Sequence, residues 1–409
     1  MNIVLEPGAA ALLDELHRAG FGAYAVGGCV RDSLLGLAPH DWDLCTAARP
    51  GQVMELFGED RCIPTGLQHG TVTVKRDGKL YEITTFRTEG RYSDGRHPDS
   101  VAFVPDLRED LARRDFTINA MAYSAEEGLC DPFGGREDLA RGVVRAVGEP
   151  LRRFGEDALR ILRLYRFAAR FGFAIDEATE AAAKQLASHL DCVSAERIEE
   201  ELNKLLAAPQ PGAYLEPEVL AFVLPELPPE ELTKARRRID TLPAGTEQVS
   251  ARWAALLLPL GEAGARKALK RLKCSNARMD GVAALVRECG EKTSDAPDRC
   301  DLRLQAKRLL GKYDLHTVQQ LTALWTALAP EEKGSFDALR AEAEALTAQG
   351  ACCRISQLAV NGRDLMAAGA APGPGLRRVL EALLEEVITG RLPNEKTELL
   401  AFAAGFSAS

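Results

Sequence analysis

Two aspartates separated by a single residue, Asp41 and Asp43, are the side chains of this sequence best suited to bind metal ions. Alternate side chains of an extended segment point to the same side, so both carboxylates can share hard cations such as Mg2+. A glycine pair, Gly27 and Gly28, precedes them and is followed by Arg31. Glycines let backbone N–H groups approach phosphates closely, and an arginine adds positive charge beside them. The block therefore predicts metal-assisted transfer of a nucleotide from a triphosphate.

A third carboxylate, Glu82, lies in an alternating segment from Leu80 to Phe86 that is typical of a strand. If neighbouring strands bring it to the same side as the aspartates, it could act with them. A lone glutamate in a strand more often faces solvent. The residues alone leave open whether Glu82 binds metal or only lies nearby.

A run of charged residues farther along the chain could recognise a nucleotide base. Asp157, Arg160, Arg163 and Arg166 follow one another at helical spacing, and we expect the first three to share a helix face. Cytosine and adenine both present an amino donor beside a ring-nitrogen acceptor. A carboxylate next to an arginine complements that order and leaves unpaired groups against uracil and guanine, at a cost of roughly 1 to 3 kcal/mol per mismatch. An ordinary pair of charges within a helix is the alternative.

The elements that must position these residues divide the chain into two classes of structure. Short β-rich runs lie before residue 145, and from Gly155 onward the pattern is helical and no strand is predicted. We therefore expect an α+β protein whose N-terminal head holds a small mixed sheet and whose remainder is all α. The predicted strands are Ala23 to Val26, Thr71 to Lys75, Leu80 to Phe86 and Val101 to Val104.

The composition is that of a globular protein without membrane spans. The 409 residues are 46% hydrophobic and 27% charged, enough for about two to four domains. Ten cysteines form no CxxC pair, and no run approaches about 18 uninterrupted apolar residues. We expect a cytoplasmic protein. The net charge of −9 argues against a nucleic-acid partner, but a local basic run offers a candidate RNA contact at Lys267, Lys270, Arg271 and Lys273.

Several motifs together resemble one enzyme family. The block of glycines and aspartates resembles the signature of the tRNA nucleotidyltransferase and poly(A) polymerase family, and Arg113 to Ala122 is similar to its RRDFTINA motif. Gly155 to Phe167 resembles its base-selecting motif, and nearly the whole chain looks like the bacterial class II CCA-adding enzymes. The resemblance implies that Asp41, Asp43 and Glu82 are catalytic. It also implies nucleotide-binding roles for Gly27, Gly28, Arg31, Arg114, Asp157, Arg160, Arg163 and Arg166.

The resemblance also implies a reaction. A tRNA 3′ hydroxyl would attack CTP twice and then ATP, with pyrophosphate leaving and two Mg2+ ions held by Asp41 and Asp43. The tRNA would be bound at its acceptor stem and elbow, with no membrane and no protein partner. Four domains are expected: a catalytic head at 1–145, a base-selecting neck at 146–207, a tRNA-binding body at 208–345 and a tail for the tRNA elbow at 346–409.

Three alternatives stay open. Some relatives add only CC or only A, but residues 87–110 resemble the family's flexible loop at full length, which disfavours the CC-adding form. A poly(A) polymerase would carry basic segments that this sequence lacks. A tRNA-binding protein without activity would not need both Asp41 and Asp43.

Overall fold

The computed structural model describes residues 3–90, 101–291 and 301–406, which form two compact units divided between Pro229 and Glu230. All described strands lie in the first unit. They are β1 Ala23–Val26, β2 Leu44–Thr46, β3 Cys62–Gly66, β4 Thr71–Arg76, β5 Lys79–Thr85, β6 Arg87–Glu89, β7 Val101–Phe103, β8 Ala122–Ser124, β9 Gly128–Cys130, β10 Val143–Val144 and β11 Ala174–Ile175. Its helices are α1 Pro7–Arg18, α2 Gly28–Leu34, α3 Pro50–Phe57, α4 Leu107–Ala112, α5 Gly135–Arg141, α6 Pro150–Glu156, α7 Leu159–Phe171, α8 Glu177–Gln185, α9 Ala195–Leu206 and α10 Pro217–Val223.

Seven of these strands form one mixed sheet in the order β3-β4-β5-β2-β1-β8-β9. Strands β2 and β5 run parallel and pair Leu44 with Ile83, whereas the other neighbours in this sheet run antiparallel. One face of the sheet packs on a core that includes Tyr24, Val26 and Phe86. The predicted α+β head with a mixed sheet is therefore confirmed.

The four strands predicted from the sequence are present, with ends shifted by one residue at most. The expectation that no strand follows Gly155 is wrong, because Ala174 and Ile175 of β11 pair in parallel with β10. Two residues are too few to produce an alternating pattern, so the sequence carried no signal for this strand. Of the predicted loop at 87–110, residues 91–100 lie outside the described residues, and its flanks form β6, β7 and α4.

The described part of the second unit contains helices and no strand, as predicted. They are α11 Pro229–Thr241, α12 Val249–Leu257, α13 Gly261–Arg271, α14 Asn276–Glu291, α15 Leu302–Lys312, α16 Leu315–Leu328, α17 Lys333–Ala348, α18 Gly362–Ala367, α19 Gly375–Ile388 and α20 Lys396–Phe406. Among the described residues, no helix combines the length and the apolar character needed to cross a bilayer. The finer division into four domains stays a prediction.

Candidate active site

Sheet register places the acidic residues together. The sequence predicts Asp41 and Asp43 on a strand, but both lie in the segment just before β2. Because Leu44 of β2 pairs in parallel with Ile83 of β5, the preceding positions, Asp43 and Glu82, are also neighbours. Leu44 and Ile83 are buried, whereas Asp43 and Glu82 are exposed. Side chains alternate along a strand, so both carboxylates lie on the accessible face.

These carboxylates influence one another electrostatically. The pKa of Asp43 is raised, first because surrounding protein reduces its hydration although the side chain keeps accessible surface, and then by the charges of Glu82 and Asp41. Arg114 acts in the opposite direction. The carboxylate of Asp41 is solvent exposed, with Oδ2 3.1 Å from Nδ1 of His40. Such mutual repulsion is relieved when a cation binds between the groups.

The carboxylates of Asp41 and Asp43 suit a metal ion that binds together with the nucleotide substrate. Within the described ranges, no three metal-ligating side chains already form a preassembled metal site. Mg2+ is commonly held by one or two carboxylates, with substrate phosphate oxygens and water completing its coordination. Asp41 and Asp43 fit that requirement, with Glu82 adjacent to Asp43.

The glycine turn packs directly on an arginine. Gly27 has φ +78°, a conformation that side chains rarely adopt, and a Cβ placed there would lie 2.9 Å from Nη1 of Arg114. Gly28 then begins α2. The guanidinium of Arg114 also lies 3.5 Å from the fully buried carboxylate of Asp110, and its Nε finds no hydrogen-bond partner among the described residues. Arg114 thus packs on the glycine turn and acts electrostatically on Asp43.

Arg31 was expected to bind the triphosphate, and the structure places its side chain inside the protein. It is 3% exposed. Its Nε donates to Asp32 and its Nη1 donates to Asn119, at 2.8 and 2.5 Å. Its guanidinium also lies over the rings of Phe167 and Phe171, 5.1 and 4.9 Å from their centroids. Burial lowers its pKa, an effect that Asp32 partly offsets.

Several of the other predicted residues line an open, strongly basic pocket. Its volume is about 580 Å3, including solvent at its mouth. Five arginines and two aspartates line it together with one leucine: Arg113, Arg114, Asp115, Asp157, Leu159, Arg160, Arg163 and Arg197. Four predicted nucleotide-binding residues are therefore brought together: Arg114, Asp157, Arg160 and Arg163. A surplus of arginine suits a polyanionic ligand.

Asp157 does not share a helix face with Arg160 and Arg163, contrary to the sequence prediction. It lies at a break between α6 and α7, where its backbone is extended. Its Oδ1 accepts a hydrogen bond from the Leu159 N–H at 3.1 Å, as capping residues do, and this local bond competes with a continuous helix. Its partner is Arg197 of α9, whose Nη2 donates to Oδ2 at 2.8 Å.

Arg197 is a pocket residue that the sequence reasoning missed. Forty residues separate it from Asp157, so helical spacing could not reveal the ion pair. The one available signal was its position in the first turn after Ser194, where a side chain points beyond the helix end.

Arg160 is held by neighbours of its own. Its Nη1 donates to the backbone oxygen of Arg153 and to Glu156, at 3.0 and 2.8 Å, and its Nη2 donates to the backbone oxygen of Arg113 at 3.0 Å. A guanidinium has five N–H donors. The bonds described leave Nε–H and one Nη2 hydrogen available within the described part of the chain.

Arg166 is not among the residues that line the pocket. It is 7% exposed, its Nε donates to the buried carboxylate of Glu201, and its guanidinium stacks 3.8 Å from the centroid of Phe167. Burial lowers its pKa, and Glu201 opposes that shift. The arrangement indicates that Arg166 joins α7 to α9 and thereby fixes one side of the pocket.

Replacing Glu201 with leucine should therefore destabilise the first unit by about 3 kcal/mol, because Arg166 would remain as a buried, unpaired charge. Urea denaturation measures the loss. The double variant Arg166→Met/Glu201→Leu is the matched control and should be more stable than the single variant. A single variant as stable as the unmodified chain would contradict this role for the pair.

The candidate RNA contacts lie in the second unit. Lys267, Lys270 and Arg271 are exposed on α13, whose opposite face buries Ala268 and Leu269. Lys273, just beyond the helix, is exposed as well and has φ +57°. The predicted residues thus share an accessible basic surface, and their contact with RNA stays a prediction.

Comparison with known proteins adds an independent line of evidence. Three family models match: the poly(A) polymerase head domain at residues 23–145, a probable RNA- and SrmB-binding site of polymerase A at 172–228, and a putative second domain of tRNA nucleotidyltransferases at 245–403. The CCA-adding enzyme of Limosilactobacillus fermentum is 38% identical over 408 residues, covering 96% of this chain and 95% of that protein. That of Geobacillus stearothermophilus is 37% identical over 402 residues, covering 96% and 95%.

A solved structure is similar over almost the entire length. It is the Bacillus stearothermophilus CCA-adding enzyme in complex with CTP, which matches with a TM-score of 0.80 and 32% identity. The match covers 99% of this chain and 98% of that one.

Proposed function

The chain belongs to the family of the CCA-adding enzymes, and from that premise we propose that it completes the 3′ end of tRNA by adding CMP, CMP and AMP from CTP and ATP. Addition proceeds without a nucleic-acid template, and each step releases pyrophosphate. The substrates are thus a tRNA and two nucleoside triphosphates, and we place the reaction in the cytoplasm.

The position of Arg114 carries this proposal. Its guanidinium lies against the Gly27 turn, it acts electrostatically on Asp43, and it lines the arginine-rich pocket. One side chain thus connects the acidic site, where phosphate chemistry would occur, with the pocket, where a base and sugar would bind. A nucleoside triphosphate has these same parts in sequence.

The chemistry at the acidic site is a phosphoryl transfer. The tRNA 3′ oxygen forms a bond to the α-phosphorus, the bond to the bridging oxygen of the β-phosphate breaks, and the hydroxyl proton passes to solvent. Mg2+ held by Asp41 and Asp43 would favour ionisation of the hydroxyl and stabilise the charge on pyrophosphate. Glu82 adds negative charge beside Asp43, and the glycine turn leaves room for the phosphates.

Base selection is assigned to Asp157 and Arg160. Three N–H groups already donate to Asp157, one from Leu159 and two from Arg197. A carboxylate offers about four acceptor sites, so one remains for the amino group of cytosine or adenine. The available N–H groups of Arg160 can donate to the ring nitrogen. Uracil and guanine present the reverse order and would leave both protein groups unpaired.

The remaining predicted residues act around this pair. Gly28 has no side chain to block the approach of the triphosphate, and the buried guanidinium of Arg31 packs against the turn on the protein side. Arg163 presents positive charge in the pocket while its Nε and Nη2 donate to Asp115 at 2.8 and 2.5 Å. Arg166 acts through Glu201 by holding α7 in place.

We assign tRNA binding to the helical regions. The match to an RNA-binding family model at residues 172–228 supports this assignment in the first unit. In the second unit, phosphates of the tRNA would pair with Lys267, Lys270, Arg271 and Lys273.

One assay tests the proposal. Purified protein is mixed with tRNA that ends at the discriminator base, and CTP, ATP or both are supplied. We expect two added residues with CTP alone and three with both nucleotides, resolved on a sequencing gel. Only CC or a long A tail would identify the corresponding alternative enzyme. A second substrate, tRNA that already ends in CC, separates an A-adding enzyme, which extends only that tRNA, from a binding protein without activity, which extends neither.

A further inference from the structure

Asn119 links two charged groups that belong to different parts of the nucleotide site. It lies in the single turn Thr117–Asn119 and is 6% exposed. Its side-chain oxygen accepts from Nη1 of Arg31 at 2.5 Å, and its side-chain N–H donates to Oδ1 of Asp115 at 3.0 Å. A guanidinium can only donate and an ionised carboxylate can only accept, so the amide has one possible orientation.

The carboxylate at the far end of this link is ionised. Burial by itself would raise the pKa of Asp115, but Arg163 and the hydrogen bond from Asn119 outweigh it and hold the pKa well below the usual range. Asp115 is 6% exposed, and its second oxygen receives two hydrogen bonds from Arg163. The orientation of Arg163 in the pocket therefore depends on Asp115, and Oδ1 of Asp115 is held by two donors, the side chain of Asn119 and the backbone N–H of Phe116 at 2.8 Å.

Arg31, at the other end of this link, lies beneath the Gly27–Gly28 turn. A Cβ at Gly28 would lie 3.6 Å from Nη2 of Arg31, so this guanidinium forms the floor of the turn. Arg31 also bonds to Asp32, whose other oxygen accepts from Arg170 of α7 at 3.0 Å. Helices α2 and α7 are thus joined by two polar connections among the described residues: a partly exposed one through Asp32 and Arg170, and a buried one through Asn119 that reaches Arg163.

We propose that Asn119 is a positioning residue that fixes Arg163 in the base pocket relative to the Gly27–Gly28 turn. The base and the triphosphate of one nucleotide can then be bound at the same time, at a fixed distance from each other. This inference rests on the proposed function, since it assigns the pocket to the base and the turn to the phosphates.

The variant Asn119→Asp tests the link because it keeps the size and shape of the side chain. Its carboxylate can still accept from Arg31, but the oxygen that replaces the amide nitrogen faces Oδ1 of Asp115 at the distance of a hydrogen bond. Repulsion between the two carboxylates should displace Asp115 and with it Arg163. Arg163 lines the pocket one helical turn after Arg160, so its displacement should also disturb the base-selecting pair. We therefore expect the preference for CTP over UTP in equilibrium binding to fall about tenfold or more, with KM for CTP raised similarly. The kcat should stay within about threefold, because the metal-binding aspartates are unaffected.

A matched control lies in the same turn. Thr117 is buried and its hydroxyl donates to Asp138 at 2.7 Å, outside the link. Thr117→Val removes one buried hydrogen bond at nearly constant volume, so it should lower the melting temperature and leave the CTP preference unchanged. If Asn119→Asp does not fold, Asn119→Ala removes the link without adding charge and should also reduce the preference.

The outcomes separate this inference from the proposed function. A folded Asn119 variant that keeps the preference for CTP over UTP and the KM of the unmodified protein would overturn the inference. An equal loss of that preference in Thr117→Val would overturn it as well. An unmodified protein that binds CTP and UTP equally would instead overturn the proposed function, and the inference with it.

Discussion

Replacing Asp43 with asparagine should slow the addition of both CMP and AMP by about a thousandfold or more while tRNA still binds. An amide carries no charge, so it would neither hold a divalent cation firmly nor retain the repulsion that Glu82 and Asp41 now exert on Asp43. Asp41→Asn should act in the same way. Single-turnover rates with tRNA lacking CCA, together with filter binding of the same tRNA, measure the two properties separately.

Asp77→Asn is the matched control for these variants. Asp77 is a solvent-exposed aspartate of the same unit with φ +48°, a conformation that asparagine also adopts readily. It should add nucleotides at the rate of the unmodified protein. Activity in Asp43→Asn within about tenfold of that rate would refute the metal-binding role, because several kcal/mol of transition-state stabilisation are assigned to the metal.

Replacing Asp157 with alanine should allow UMP and GMP to be added. The variant lacks the acceptor that pairs with the amino group of cytosine or adenine, so discrimination against UTP and GTP should fall by roughly 10 to 100-fold. Arg197 loses its partner in this variant and gains freedom to move, which adds to the effect. The ratio of kcat/KM for CTP and UTP on one tRNA substrate measures the discrimination.

Glu200→Gln provides the comparison for this experiment. Glu200 is an exposed acid of α9 that pairs with Lys204, outside the pocket. The variant should discriminate as the unmodified protein does. If Asp157→Ala excludes UTP and GTP as completely as Glu200→Gln, the assignment of base selection to Asp157 is wrong.

Local patterns in the sequence predicted the part of the site that depends on local geometry. The spacing of Asp41 and Asp43, and glycines at a turn that requires positive φ at Gly27, are properties of a few consecutive residues. The strand containing Glu82 could also be predicted, because alternation over seven residues is a strong signal. What no pattern could give is the parallel register of β2 and β5, which sets Glu82 beside Asp43.

Long-range pairing accounts for what the sequence reasoning missed. Arg160 and Arg163 were expected to act with Asp157 on one helix face, but Asp157 caps the start of α7 and pairs with Arg197 from another helix. An aspartate two residues before an apolar run is itself a signal for a helix start. Continuous helical spacing on both sides masked that signal.

The burial of charged residues was likewise not predictable from one sequence. Arg31 and Arg166 are among the most buried cations, and each is stabilised by partners distant in the chain, Asn119 and Glu201. From sequence alone, a run of arginines predicts a ligand-binding surface, because the acidic or polar partners of each arginine cannot be identified. In this protein, one arginine of the run on α7, Arg166, is buried and supports the pocket from within the protein.

A crystal structure of the protein with CTP and Mn2+ would test the central claim most directly, because anomalous scattering locates the metal independently of the protein. The account predicts a metal peak within bonding distance of carboxylate oxygens of both Asp41 and Asp43 and of the triphosphate, with the cytosine in the arginine-rich pocket. A bound CTP whose phosphates and metal lie away from Asp41 and Asp43 would contradict it.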